Sequence, residues 1–173
     1  VAAFIRHATV ADLPALRTIF DYVDACHQIA LPHAFQRIEG SHRSDEFLLA
    51  CVRNRAGILL IAERDGRPVG LLYAIERMTP EIPLFMPRRF AVVDSLAVLP
   101  EAQREGIATA LLEQVQLWAR ERGLAEIELG VYEFNTAARN LYSKLGYDTV
   151  RRTMSKSLGT QADDPEITRE ARR

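Results

Sequence analysis

The sequence predicts an α/β fold in which a mixed, mostly antiparallel sheet carries helices on both faces. Two observations lead there. Three β-rich runs follow one another in mid-chain (58–62, 69–78 and 90–98), an order that asks for antiparallel pairing. Strands on either side of a long helix-periodic stretch (106–122) ask instead for a parallel crossover. The 173 residues show no second core, internal repeat or linker, so one domain over residues 1–158 is expected, followed by a polar tail over 159–173.

Taken in order, residues 4–8 read as a first strand. Thr9-Val10-Ala11-Asp12 has the form of a helix start, and Pro14 suits a first turn. Leu13, Leu16, Ile19, Phe20 and Val23 then recur at helical spacing. Residues 28–42 read as a loop that carries at most a short helix. Phe47, Leu48, Cys51 and Val52 make a second helical face between Asp45 and Asn54. Asp65-Gly66 between two apolar runs marks a hairpin. Pro80, Pro83 and Pro87 mark a connection, and Leu111, Leu112, Val115 and Trp118 give the long helix its apolar face up to Gly123. A strand over 126–131, a helix over 136–145 closed by Gly146, and a last strand over 149–158 complete the order β-α-α-β-β-β-α-β-α-β.

Composition narrows the functions. Lys plus Arg number 22 and Asp plus Glu 23, giving a net charge of −1. That balance lacks the electrostatic footprint of a nucleic-acid binder, so no nucleic-acid partner is expected. No apolar stretch is long enough to cross a bilayer, so no membrane partner is expected either. Two cysteines make no disulfide framework, and both Cys26 and Cys51 read as small buried hydrophobes. With no signal-peptide pattern ahead of the first strand, a cytoplasmic location is the expectation. The four histidines show no zinc spacing, and no metal is expected.

The stretch that carries chemistry runs from Leu96 to Leu112: a strand, a tight loop and a helix start. A helix N-terminus presents unpaired N–H groups and the positive end of the dipole, which bind anions. Gly106 permits close approach of a ligand and Ala108 keeps it clear of bulk. A phosphate or pyrophosphate on the amides of Arg104 to Thr109 is one reading; a tight, closely packed turn is the other. The loop is neither a P-loop nor a dinucleotide fingerprint.

Gln103-Arg104-Glu105-Gly106-Ile107-Ala108 matches Q/R-x-x-G-x-G/A, and 29 residues beyond Gly106 begins Asn135-x-x-Ala138-x-x-Leu141-Tyr142-x-x-Leu145-Gly146-Tyr147. Upstream, Ala62 to Gly70 has the form of a hairpin with a glycine after its turn. With these motifs the chain resembles the GCN5-related N-acetyltransferases, the GNAT superfamily, over about residues 4–158. The resemblance implies a sheet with two central parallel strands splayed apart, and acetyl-CoA as cosubstrate in the gap. It implies a cofactor-binding loop of Gln103, Arg104, Glu105, Gly106, Ile107, Ala108 and Thr109, with a pyrophosphate on the amides of Arg104 to Thr109, and a pantetheine arm against Leu96, Ala97 and Val98. Asn135 and Ala138 would meet the pantetheine, although Asn135 reads equally as a helix N-cap.

The resemblance further implies direct attack by an amine on the thioester, without an acyl-enzyme. Val98 N–H would stabilise the oxyanion and Tyr142 would be the general acid for the CoA sulfur; a purely structural Tyr142 is the other reading. Asp94 shares a face with Val92, Leu96 and Val98 by strand alternation, where an acid suits proton removal from an ammonium; it suits a cross-sheet ion pair equally. Glu76 and Glu133 are further candidates for the base. Asp21, Asp24, Glu39, Asp45 and Glu46 either attract a cationic amine or form a solvated surface. Ile82, Leu84, Phe85 and Met86 either wall the acceptor pocket or form a homodimer interface. The expectation is an N-acetyltransferase acting on a primary amine, of a small molecule first and of a protein as the alternative. A non-catalytic acyl-CoA sensor and a structural partner without CoA are the other readings.

Overall fold

A computed structural model describes residues 3–36, 40–41 and 43–158. Glu39 and the expected tail lie outside the described residues. Strands β1 (Phe4–His7), β2 (Gly57–Arg64), β3 (Arg67–Met78), β4 (Arg89–Val98) and β5 (Ile127–Leu129) form one sheet in the order β1-β2-β3-β4-β5. The first four pair antiparallel, and β5 runs parallel to β4. Helices α1 (Leu13–Ala30) and α2 (Asp45–Arg53) cover one face. Helices α3 (Ile107–Glu121) and α4 (Thr136–Lys144) cover the other. The mixed sheet with helices on both faces is therefore as expected.

Local chemistry explains the elements. Asp65 and Gly66 both take positive φ, 52° and 73°, so a two-residue turn closes the β2–β3 hairpin. Leu16, Ile19, Phe20 and Leu48 bury against Leu59, Ile61 and Leu71 of the sheet. Leu111, Leu112 and Val115 bury against Leu60, Leu72 and Val93 on the other face. Apolar burial on both faces is the dominant stabilising term, at roughly 25 cal/mol per Å². No helix among the described residues is long and apolar enough to cross a membrane.

Three expectations change. Helix α1 runs on to Ala30 and takes residues first read as loop. Its buried residues are Leu16, Ile19 and Phe20, all in its first half, and Cys26 beyond them is exposed; only Cys51 is buried. Residues 149–158 form no strand, and among the described residues β5 is the edge of the sheet.

The start of the chain is locked by charge. Arg6 donates to both oxygens of Asp12, at 2.8 and 2.7 Å, and to Glu63 of β2 at 3.0 and 2.5 Å. Asp12, only 7% exposed, also accepts from Thr9 N at 2.7 Å and so caps the turn that opens α1. Hydrogen bonds from Arg6, opposed by burial and helped by those from Thr9, hold the Asp12 carboxyl well below the usual carboxylate range. A depressed carboxylate stabilises the fold above its unfolded pKa, near 4, and loses that contribution as pH falls toward the lower value. Asp12→Asn should therefore cost about 3 kcal/mol at neutral pH, because it leaves a half-buried arginine short of its partner. The deficit should shrink as pH drops below about 4, which urea titrations at pH 7 and pH 3 will read.

Candidate active site

The sheet opens where β5 leaves β4. Ala91, Val92 and Val93 pair with Ile127, Glu128 and Leu129, and there the parallel ladder ends. Strand β4 continues through Val98 along β3 alone. The next residue after the last pair, Asp94, is a β-bulge: Ala74 pairs with Val93 and Tyr73 with Ser95, leaving Asp94 without an opposite number.

That extra residue changes which way everything beyond it points. Before the bulge, Ala91 N donates across to Glu126 O at 2.9 Å, on the β5 side. After it, Leu99 N donates to Val69 O at 2.8 Å, on the β3 side. By strand alternation the amides of Leu96 and Val98 face away from β3, into the gap, while Ala97 between them sits opposite Leu71. The side chains of Leu96 and Val98 pack with the α3 layer, whereas Ala97 packs with α1 and α2. The expected sharing of one face by Asp94, Leu96 and Val98 is thus corrected. Asp94 is exposed, accepts from Ser95 Oγ at 3.0 Å, and opens onto the α2 face. There it lines a cleft of ≈ 670 Å³ together with Arg43, Phe47, Cys51, Tyr73 and Arg77.

At the far end of β4 lies the start of α3. Gly106 caps the helix at φ 82°, and a Cβ built on it meets nothing within 4 Å. The first helical hydrogen bond runs from Ala110 N to Gly106 O at 3.0 Å, so the amides of Ile107, Ala108 and Thr109 remain open to a ligand. Arg104 also takes a positive φ, 66°, turning the loop around Glu105. Two side chains brace it. Gln103 Nε2 donates to Val98 O at 2.9 Å and to the Tyr22 hydroxyl at 3.0 Å; Arg64 holds Glu105 at 2.5 Å and Glu101 O at 2.7 Å. The role of Gln103 in tying β4, α1 and the loop together was not read from the sequence, and no spacing rule signals it.

Asn135 caps α4, accepting from Ala138 N at 3.1 Å. Tyr142 sits on the α4 face that packs into the same layer as Leu96 and Val98. Its ring meets Tyr147 edge-on at 5.8 Å. Burial, with a smaller contribution from Tyr147, pushes the Tyr142 phenol up to about 12, so it stays protonated at neutral pH. Other candidates are committed elsewhere. Glu76 is paired with Arg89 and Arg122, Glu133 with Arg139, Asp24 with Arg43 and Asp45 with Arg17.

A strand that parts from its parallel neighbour, ending in an open helix N-terminus, suits a ligand with an extended amide-bearing arm and a phosphate end. The model of the Acetyltransferase (GNAT) family matches residues 17–147, and the chain belongs to that family. It is accordingly an acyltransferase. An uncharacterized N-acetyltransferase, YhfO of Bacillus subtilis, is 26% identical over 144 residues, covering 83% of this chain and 89% of that protein. A mutant of the BH1408 protein of Bacillus halodurans superposes with a TM-score of 0.85 at 23% identity, covering 90% of this chain and 99% of that one. The aminoglycoside N-acetyltransferase AAC(6')-Iy in complex with CoA superposes at 0.67 with 18% identity, covering 91% and 100%.

Two glycines near the gap should respond differently to an added methyl. A Cβ on Gly70 falls 2.9 Å from Ala97 O, backbone that cannot yield without moving β4. Gly70→Ala should cost about 2 kcal/mol or more, as overpacking does. Gly106→Ala meets open space and bears only the left-handed strain, about 1 kcal/mol. Urea unfolding of both variants checks the order.

Proposed function

We propose that the protein transfers the acetyl group of acetyl-CoA to a primary amine by direct attack in a ternary complex. The observation that carries this reading is the bulge at Asp94. It puts the gap-facing amides of Leu96 and Val98 in line with the open α3 N-terminus on one side, and turns an acid to the cleft on the other. The residues present suit the cosubstrate. The amides of residues 104–109 would take the pyrophosphate at the positive end of α3. Leu96 and Val98 would pair with the pantetheine amides as a strand does, and Asn135 would meet the same arm with its Nδ2, its Oδ1 being spent on the cap.

The amine enters from the α2 cleft. Asp94, directly or through a water, accepts the proton that an ammonium must lose before its nitrogen can attack. As the C–N bond forms, the gap-facing N–H of Leu96, the one nearer Asp94, donates to the carbonyl oxygen on which charge develops, while the expected donor Val98, whose carbonyl Gln103 already occupies, keeps its N–H for the arm. Collapse of that adduct breaks the C–S bond: Tyr142 donates to the departing sulfur, and the nitrogen, cationic since the attack, releases its extra proton through water to restore the phenol, leaving amide and thiol. The acceptor we favour is a small molecule, because the cleft is walled by side chains on three elements, α2, β3 and β4; a protein amine is the alternative acceptor.

Calorimetric titration with acetyl-CoA should show saturable binding, abolished in Gly106→Glu, whose side chain brings negative charge to the phosphate cradle. No binding by the unaltered protein at millimolar ligand overturns the reading. With a panel of amines, Tyr142→Phe should lower kcat about 100-fold, the low end of general-acid effects, with acetyl-CoA affinity unchanged. Unchanged turnover in that variant removes Tyr142 from the chemistry.

A further inference from the structure

The cleft on the α2 face holds two opposite charges that the protein does not bring together. Asp94 is at one end, its carboxylate accepting from Ser95 Oγ and, among the described residues, forming no ion pair. Arg77 is at the other, exposed, with neither an ion pair nor a hydrogen bond among the described residues. Strand register sets the two apart. Arg77 stands opposite Phe90, whereas Asp94 is the bulged residue between the partners of Ala74 and Tyr73. Three to four residues of β3 therefore separate their levels, about 10–13 Å at the rise of an extended strand. The arginine side chain takes up part of that span, and a small molecule can take up the rest.

The third charge of the lining is already spent. Arg43 holds both oxygens of Asp24 at 3.1 Å, and its guanidinium lies 4.1 Å above the Phe20 ring. Between the two free charges the wall is apolar, with Ile75 on β3 and Phe47 contributed by α2. Tyr73 adds its ring, its hydroxyl accepting from Asn54 Nδ2 at 2.8 Å. A polycation would meet one attractive charge here and one repulsive one. A plain alkylamine would satisfy Asp94 and leave Arg77 idle.

We propose that the acceptor is a small primary amine with an anionic group, carboxylate or phosphate, at the far end of an apolar spacer, and that Arg77 selects it by holding that anion while Asp94 receives the nitrogen. Arg77 takes no part in the chemistry. It determines specificity, because a guanidinium meets a carboxylate or a phosphate through paired N–H donors. With its far end held, the ligand presents its nitrogen to Asp94 and to the thioester beyond. The inference rests on the reading of this cleft as the acceptor's entrance.

Binding and turnover together test it. The probes are ω-amino acids of increasing length, from β-alanine to ε-aminocaproate, and phosphoethanolamine. Each is matched with the alkylamine and the diamine of the same chain length. In calorimetric titrations with CoA present, at least one anionic member should bind about 10-fold more tightly than its matched alkylamine, the worth of one charge-assisted contact. The diamines should bind no more tightly than the alkylamines, and the anion that gains more identifies carboxylate or phosphate. In Arg77→Met the ratio of anionic member to alkylamine should fall to about one. In Arg77→Glu it should invert, with the diamine leading; circular dichroism shows that both variants are folded. With acetyl-CoA, the same preference should appear in KM rather than in kcat. Anionic members that bind no better than alkylamines, or a preference that survives Arg77→Met, overturn the proposal. Turnover of alkylamines without the preference removes the role of Arg77 and leaves acetyl transfer standing. Arg77-dependent binding without turnover of any amine counts against the transfer and leaves the anion subsite in place.

Discussion

Everything in the site depends on the parting of β5 from β4 after Val93 and Leu129. A continuous ladder would satisfy the amides of Leu96 and Val98 within the protein and leave nothing to offer a ligand. Parted, the strands expose backbone donors that must find another partner, since an unpaired buried N–H is costly. Water can serve in the free protein, and a ligand bearing amides can serve better. The bulge at Asp94 accompanies the parting, because an extra residue is what lets β4 stay paired with β3 while its register on the other side changes. Gln103 and Arg64 then fix the loop that ends the gap, so that β4 and the α3 N-terminus keep one geometry.

Much of this was legible in the sequence, and the parts that were not have physical causes. The hairpin at Asp65-Gly66, the apolar stripe of α3 and the N-cap at Asn135 are local features, written in turn chemistry and in helical period. The bulge is not local in that sense. Helices cover both faces of the sheet, so β4 is apolar at nearly every position and its alternation carries no phase. One inserted residue therefore leaves no trace, and Asp94, Leu96 and Val98 were placed on one face when they occupy two. The fate of residues 149–158 is hidden for the converse reason. Their apolar residues, Val150, Met154 and Leu158, fall four apart, so an extended chain sets Arg152 and Lys156 on the same face and leaves no apolar side to bury. Likewise Cys26 falls on an apolar helix, but nothing in its neighbours shows that the second half of α1 outruns the core.

The environment of Tyr142 bears on what kind of acid it would be in the proposed transfer. Burial in the α3 layer raises its phenol to about 12, whereas a free thiol titrates near 8.5. Outright transfer of the tyrosine proton to a thiolate would thus run uphill by about three units, roughly 4–5 kcal/mol. A hydrogen bond to sulfur carries no such cost, and it strengthens as charge gathers on the leaving group, which is when stabilisation lowers the barrier. The balance of protons points the same way. Each turnover releases one proton from the attacking nitrogen and needs one on sulfur, so Tyr142 can lend its proton and be repaid from the amine side without accumulating as phenolate. In the proposed mechanism a raised pKa is compatible with an acid's role, because it keeps the donor protonated between turnovers at neutral pH. Under the proposed mechanism, the burial that sets Tyr142 in one layer with Leu96 and Val98 would serve the fold and keep the donor protonated, so a structural and a chemical reading of this residue need not compete.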